Sequence, residues 1–345
     1  MRERLGDASV RVTSCRTGSA GVRCYRRAMM TRELRGSRMT GLGHYQPPKV
    51  LTNDDIARMV ETDDEWIRTR TGIRERHIAA EDQSVVDLAV EAARMALEDA
   101  GRHEVGMIVV ASTTSASRSP NVAGRVAQRL GLDGPAIIDV NTACSGFEYA
   151  VATADQAISL GSADSALVIG AEKLSAFTDW TDRTTCVLTA DGAGATVLEA
   201  SAQPEISPVV WGSVTSMADD VRIDGDPQLF SQNGRQIMRW AFTEAAEHAT
   251  RVLERAGLSI DDIDVIAFHQ ANLRLIEPLA EKLGASERQV LIRDVEVSGN
   301  TSAASVPMGL SKAWHRGELP RGGRALLFGF GGGFAYAGQV VTLPA

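Results

Sequence analysis

The chain runs one helix–strand plan twice. Residues 85–101 form an amphipathic helical pattern ending Ala96-Leu97-Glu98-Asp99-Ala100-Gly101, followed by the strand-like Gly106-Met107-Ile108-Val109-Val110-Ala111. Residues 244–257 end Val252-Leu253-Glu254-Arg255-Ala256-Gly257 and lead to Asp264-Val265-Ile266-Ala267-Phe268. A second pair follows the first. Ala127-Gln128-Arg129-Leu130-Gly131 precedes the apolar Ala136-Ile137-Ile138-Asp139-Val140, and Ala280-Glu281-Lys282-Leu283-Gly284 precedes Val290 to Val295. Each copy then enters a helix, Gly146 to Leu160 or Ala303 to Arg316, and a further strand, Ala166 to Gly170 or Ala325 to Gly329. The same order at an offset of about 153 to 156 residues marks a duplicated unit. Short apolar strands alternating with helices predict sheets covered by helices. The expected fold is therefore α/β, with two pseudo-symmetric halves packed about a pseudo-twofold axis.

Composition narrows the function classes. The 345 residues, 44% hydrophobic and 23% charged, suit a chain with a sizeable core. No apolar run approaches the roughly 20 residues that span a bilayer, so no membrane partner is expected. Residues 1–39 hold ten Arg against three acids, net +7, and the remainder holds 26 basic against 41 acidic side chains, net −15. So acidic a body argues against nucleic acid as a partner. The Arg-rich leader has the composition of a transit peptide without an amphipathic repeat, and residues 1–38 are expected to be a disordered or non-native extension. The expected halves are 39–204 and 205–345, with 211–234 an irregular lobe near the entrance. Cys15, Cys24, Cys144 and Cys186 show neither paired metal-ligand spacing nor a compact disulfide framework. A reducing cytoplasm fits best, and neither a metal nor another cofactor is expected.

Three segments carry chemistry. Cys144 lies in Asn141-Thr142-Ala143-Cys144-Ser145-Gly146-Phe147, where a strand-like run gives way to a helix. A thiol at a helix start lies at the positive end of the dipole, which predicts a lowered pKa. His269 lies in Phe268-His269-Gln270-Ala271-Asn272, and Asn300 in Ser298-Gly299-Asn300-Thr301-Ser302-Ala303-Ala304-Ser305. Taken singly, each has a bland reading: a core thiol, a structural imidazole, a helix cap. Together they read as a site. Gly329-Phe330-Gly331-Gly332-Gly333 lacks the Lys and Ser/Thr of a phosphate loop and follows a late strand, so nucleotide binding is not expected. Its small residues let backbone approach a substrate closely.

With these surroundings, and with Thr62-Asp63-Asp64-Glu65-Trp66-Ile67-Arg68-Thr69-Arg70-Thr71-Gly72-Ile73-Arg74-Glu75-Arg76, Asp191-Gly192-Ala193-Gly194-Ala195 and Phe330-Gly331-Gly332-Gly333-Phe334, the chain resembles the β-ketoacyl-acyl-carrier-protein synthase III family of thiolase-fold condensing enzymes. The resemblance runs from about Met39 to the end. It implies a five-layered αβαβα thiolase-like fold and a homodimer. It also implies an acyltransferase that condenses an acyl-CoA primer with malonyl-acyl carrier protein, starting fatty acid or polyketide synthesis. Cys144 would carry the acyl group, with an oxyanion hole from the Cys144 and Gly332 amides. His269 and Asn300 would bind the enolate left by decarboxylation. Trp66, Arg70 and Arg183 match positions that hold coenzyme A, and Arg239 and Arg274 match positions that dock the carrier protein. Ser119 stands where acetyl-selective relatives carry a Phe that reaches the acyl pocket of the partner subunit, which predicts room for a larger primer.

Two other functions are compatible with parts of the pattern. An acyltransferase delivering its acyl group to a heteroatom would keep Cys144 but has no use for Asn300. A non-catalytic subunit that only binds acyl chains or a partner would not need all three polar groups.

Overall fold

The computed structural model describes residues 35–117 and 119–345. Ten strands form two sheets. The first holds β1 (Gly36–Tyr45), β2 (Met107–Ala111), β3 (Ala136–Val140), β4 (Ser165–Lys173) and β5 (Asp191–Ser201) in the order β1-β5-β4-β2-β3. The second holds β6 (Val210–Ser213), β7 (Val265–Phe268), β8 (Val290–Leu291), β9 (Arg324–Phe330) and β10 (Ala335–Thr342) in the order β8-β7-β9-β10-β6. Adding five to each strand number of the first sheet reproduces the second. Directions repeat as well: β2 is parallel to β3 and β4 as β7 is to β8 and β9, while β5 and β10 are antiparallel to both their neighbours. The duplication read from the sequence is thus a duplication of topology.

Each half supplies helices at equivalent places: α1 (Val85–Asp99), α2 (Val122–Leu130) and α3 (Gly146–Ser159), then α4 (Ala246–Ala256), α5 (Leu273–Lys282) and α6 (Ser305–His315). Helices α3 and α6 lie between the sheets, α1 and α2 cover the outer face of the first, and α4 and α5 that of the second. Five layers result. Strand periodicity explains why both faces are apolar: on β2, Met107, Val109 and Ala111 point into the central layer while Ile108 and Val110 point outward. Both helix starts repeat one backbone device. Ala143 and Ser302, each third in an Asn-Thr-x sequence, hold φ of 47° and 48°.

Some expectations change. The extension expected over 1–38 overlaps β1: Gly36, Ser37 and Arg38 pair with Ser201, Ala200 and Glu199, and the Ser37 hydroxyl donates to Asp155 at 2.6 Å. Residues 1–34 lie outside the described part. The lobe expected at 211–234 is more ordered than its composition implies, because β6 joins the second sheet and Val221–Asp224 pairs with Leu229–Gln232 as an antiparallel ribbon. Strand β3 is apolar but lies at a sheet edge, with Ile137 45% and Ile138 37% exposed. Among the described residues no helix is long and apolar enough to cross a membrane.

Candidate active site

Cys144 sits in a short turn, Ala143–Ser145, between β3 and α3. It lines a cavity of about 470 Å³ together with Asn300, Ser302, Thr113, Phe177 and Gly332. The ribbon contributes Val221, Ile223 and Phe230 to the same wall. Elements of both halves therefore converge on the thiol, as the duplication predicts.

The hydrogen bonding leaves two side-chain donors, on Asn300 and His269. Asn300 is held by its backbone, which donates to Leu188 O at 2.8 Å and accepts from Ala190 N at 3.0 Å. Its side-chain Oδ1 accepts from Ser302 N at 2.9 Å, so the amide NH₂ remains as a donor. His269 Nδ1 lies 2.8 Å from the Ser305 hydroxyl, and that oxygen accepts from Gln270 N at 3.2 Å. The Ser305 proton is then directed to Nδ1, which leaves Nε2–H as the second donor. His269 is 5% exposed and does not belong to the cavity wall itself; its ring stands edge-on to Phe330, just before the glycines that meet Cys144. Burial lowers its pKa to about 3, so the imidazole is neutral at physiological pH.

The thiol departs from expectation. Burial pushes Cys144 up to about 12, against the lowering effect of the Ser302 side chain, and the nearby Glu172 and Glu148 carboxyls add to the rise. The helix start favours an anion, but loss of water outweighs it. The resting nucleophile is a neutral thiol.

Sequence reasoning placed Gly332 in the site, and it lines the cavity, but its neighbour makes the tighter approach. A Cβ on Gly331 would lie 2.6 Å from Cys144 Cβ and 2.8 Å from its sulfur. Also missed were Ser302, Ser305, Glu172 and Arg76. Arg76 is fully buried and donates to Val187 O and Asn53 Oδ1, each at 2.8 Å, fixing the segment that bridges Asn300.

The remaining predicted residues lie outside this cavity. The Arg183 guanidinium stacks over the Trp66 ring at 4.9 Å and donates to Glu61 O at 2.8 Å. Arg70 is exposed on the same helix as Trp66, Asp64–Thr71. Arg239 is exposed in the last turn of the helix Gly234–Trp240, and Arg274 is exposed at the start of α5. Ser119 is exposed and is not brought to its own chain's cavity.

Two family models match the chain. That of 3-oxoacyl-[acyl-carrier-protein] synthase III matches residues 138–214, and that of its C-terminal part matches 253–343. The β-ketoacyl-[acyl-carrier-protein] synthase III 4 of Streptomyces coelicolor is 55% identical over 314 residues, covering 90% of this chain and 99% of the relative. The chain belongs to the β-ketoacyl-acyl-carrier-protein synthase III family. Its fold is thiolase-like, and it is a condensing enzyme of the acyltransferase class. The priming β-ketosynthase of the R1128 polyketide pathway superposes with a TM-score of 0.89 at 36% identity, covering 92% of this chain and 99% of that one. The 3-oxoacyl-(acyl carrier protein) synthase III of Pseudomonas aeruginosa superposes with a TM-score of 0.85 at 37% identity, covering 90% and 99%.

Proposed function

We propose that this chain condenses an acyl-CoA primer with malonyl-acyl carrier protein to give a 3-oxoacyl-acyl carrier protein, the first carbon–carbon bond of a fatty acid or polyketide. The observation that carries the reading is the convergence of Cys144, Asn300 and Gly332 on one cavity, with Gly331 against the thiol and His269 neutral. Attack by the Cys144 sulfur on the primer thioester stores the acyl group and divides a hard condensation into two easier steps. Amides of Cys144 and Gly332 stabilise the tetrahedral oxyanion. Loss of carbon dioxide from the malonyl group then leaves an enolate oxygen, and Asn300 NH₂ and His269 Nε2–H are the donors available to it. A carboxylate at position 300 would repel that oxygen.

The stacked Trp66–Arg183 pair offers a flat, cationic surface for the adenine of coenzyme A, with Arg70 supplying charge for its phosphates. On a body of net charge −15, exposed Arg239 and Arg274 provide local complementarity to an acidic carrier protein. Strand β3 supports a homodimer, since an apolar, unpaired edge is a ready interface for a second copy. Ser119 stands just ahead of α2, whose first amides, Val122 N and Ala123 N, are bonded to Asp139 of that edge. A second copy docked on this edge would meet the Ser119 loop as well. We place the enzyme in the cytoplasm, in keeping with the free thiols of Cys144 and Cys186.

The test is intact-mass analysis after incubation with acetyl-, butyryl- and branched acyl-CoAs. Wild type is expected to gain one acyl group and Cys144→Ala none. A stoichiometric adduct on the variant would sink the assignment.

A further inference from the structure

Attack by Cys144 requires removal of its proton, and the buried thiol holds that proton firmly. A path for it starts one hydroxyl away. Ser302 lines the same cavity as Cys144, on the turn that faces the thiol's own, and its side chain acts on the thiol. The same hydroxyl donates to Glu172 Oε1 at 3.0 Å. Glu172 stands next to last in β4 and is fully buried, held by Thr113 N and Thr114 N, each 3.1 Å from Oε2, and by the Thr114 hydroxyl at 2.5 Å. Its position is fixed from several sides.

The backbone aims Ser302 at this junction. Its φ of 48° is a left-handed conformation that a residue with a side chain seldom adopts, and the Asn300 side chain clamps its N–H. Such outliers point from geometry to function. The equivalent strained position in the first half, Ala143, carries only a methyl group, so the hydroxyl belongs to the second copy alone.

Other titratable groups near the thiol serve less well. His269 is neutral and a very weak base, with a pKa of about 3. Glu148, one turn further along α3, lies against Gly329 beside the Cys144 carbonyl oxygen, and neither of its carboxyl oxygens has a hydrogen-bond partner that could connect it to the sulfur. Lys173 and Asp191, beside Glu172, are engaged elsewhere: Lys173 Nζ donates to Ala80 O and Gln83 O, and the Asp191 carboxylate accepts from Ala79 N and Ser175.

We propose that Ser302 relays the Cys144 proton to Glu172, which keeps it for the lifetime of the acyl-enzyme and returns it after condensation. This deepens the reading of Cys144 as nucleophile and rests on it. In loading, the thiol proton passes to Ser302 Oγ as the Ser302 proton passes to Glu172 Oε1. The sulfur attacks the primer carbonyl, the carbon–sulfur bond to coenzyme A breaks, and the departing thiolate takes a proton from solvent. In condensation the enolate carbon attacks the Cys144 thioester, the carbon–sulfur bond breaks, and the released Cys144 thiolate recovers its proton from Ser302, which recovers its own from Glu172. One solvent proton is consumed per turnover, matching the carboxylate lost as carbon dioxide. Burial favours the neutral form of Glu172 and raises its pKa, which suits a group that must hold a proton.

The test measures the rate of acyl loading from acetyl-CoA and butyryl-CoA by quenched intact mass, across pH 6 to 9, in wild type, Ser302→Ala, Glu172→Gln and Glu172→Asp. Loading in Ser302→Ala and Glu172→Gln is expected to fall about 10²-fold at pH 7, at the low end of general-base effects, and to rise in proportion to hydroxide. Glu172→Asp should recover part of the rate. Ser302→Ala removes one oxygen and leaves the threonine donors to Glu172 in place, so its pH profile decides the matter if Glu172→Gln melts early. Loading of Cys144 at the wild-type rate and profile in Ser302→Ala, or in a folded Glu172→Gln, overturns the relay alone. An acyl adduct on Cys144→Ala, run beside them, would instead overturn the nucleophile.

Discussion

Gly331→Ala isolates how closely the C-terminal loop must meet the nucleophile. The backbone at Gly331 has φ of 177°, an extended conformation open to alanine, so the substitution introduces no backbone strain. Its whole effect is contact. The new methyl carbon would lie 2.6 Å from Cys144 Cβ, 2.8 Å from the sulfur and 3.0 Å from Cys144 N, whereas carbon atoms are at ease about 3.5 to 4.0 Å apart. Relief requires a shift of roughly 1 Å shared between loop and turn, and a misplacement of that size in an active site can reduce rate about 10²-fold. Overpacking should also destabilise the fold by about 1 to 3 kcal/mol, or a few degrees in melting temperature for a chain of this size. The assay is acyl loading by quenched intact mass, with calorimetry on the same samples. Gly106→Ala is the control, since its methyl would sit no closer than 3.4 Å to a neighbour, an ordinary contact; it should load normally. Near wild-type loading by Gly331→Ala would refute the claim that the glycine is there to admit the thiol.

Three further outcomes follow from the same geometry. Asn300→Ala should release carbon dioxide from labelled malonyl carrier protein about 10² to 10³ times more slowly, as for loss of an oxyanion-hole donor, a larger loss than the one in loading that follows from freeing the Ser302 N–H. An unchanged release rate would favour transfer to a heteroatom. Glu148 is fully buried with both carboxyl oxygens unpartnered, and burial raises its pKa from 4.5 to about 8. Because the folded state binds this proton more tightly, its stabilising contribution is fully present below pH 4.5 and is lost as pH rises to about 8, at up to roughly 1.4 kcal/mol per unit. Glu148→Gln should therefore gain on wild type in chemical denaturation between pH 6 and 9, and parallel stabilities across that range would count against a protonated Glu148. Finally, Ser119→Phe should slow loading of butyryl and branched primers about tenfold while sparing acetyl-CoA, in line with 1 to 3 kcal/mol for overpacking an occupied pocket; an unchanged length profile would remove Ser119 from the pocket wall.

The local sequence was enough to determine the plan of the molecule. Short continuous apolar runs such as Met107–Ala111, and helices bounded by glycines such as Gly131 and Gly257, reflect preferences of neighbouring residues, and the repeated order revealed the two halves before any contact was known. Cys144, His269 and Asn300 were legible for a related reason: each stands at a strand end or helix start of that plan. What only the tertiary structure decided depends on groups far apart in the chain. The edge position of β3 was invisible in its apolar sequence, since a central strand reads the same way. Gly331 matters because Cys144, nearly two hundred residues earlier, lies against it. The same holds for Ser302 and Glu172, brought together across 130 positions. The thiol gave the clearest divergence. Its helix start predicted an acidic cysteine, but burial beneath both halves removed the water that would have stabilised the anion and moved its pKa the other way. Solvent exclusion belongs to the packed assembly of both halves, and no local pattern around Cys144 encodes it.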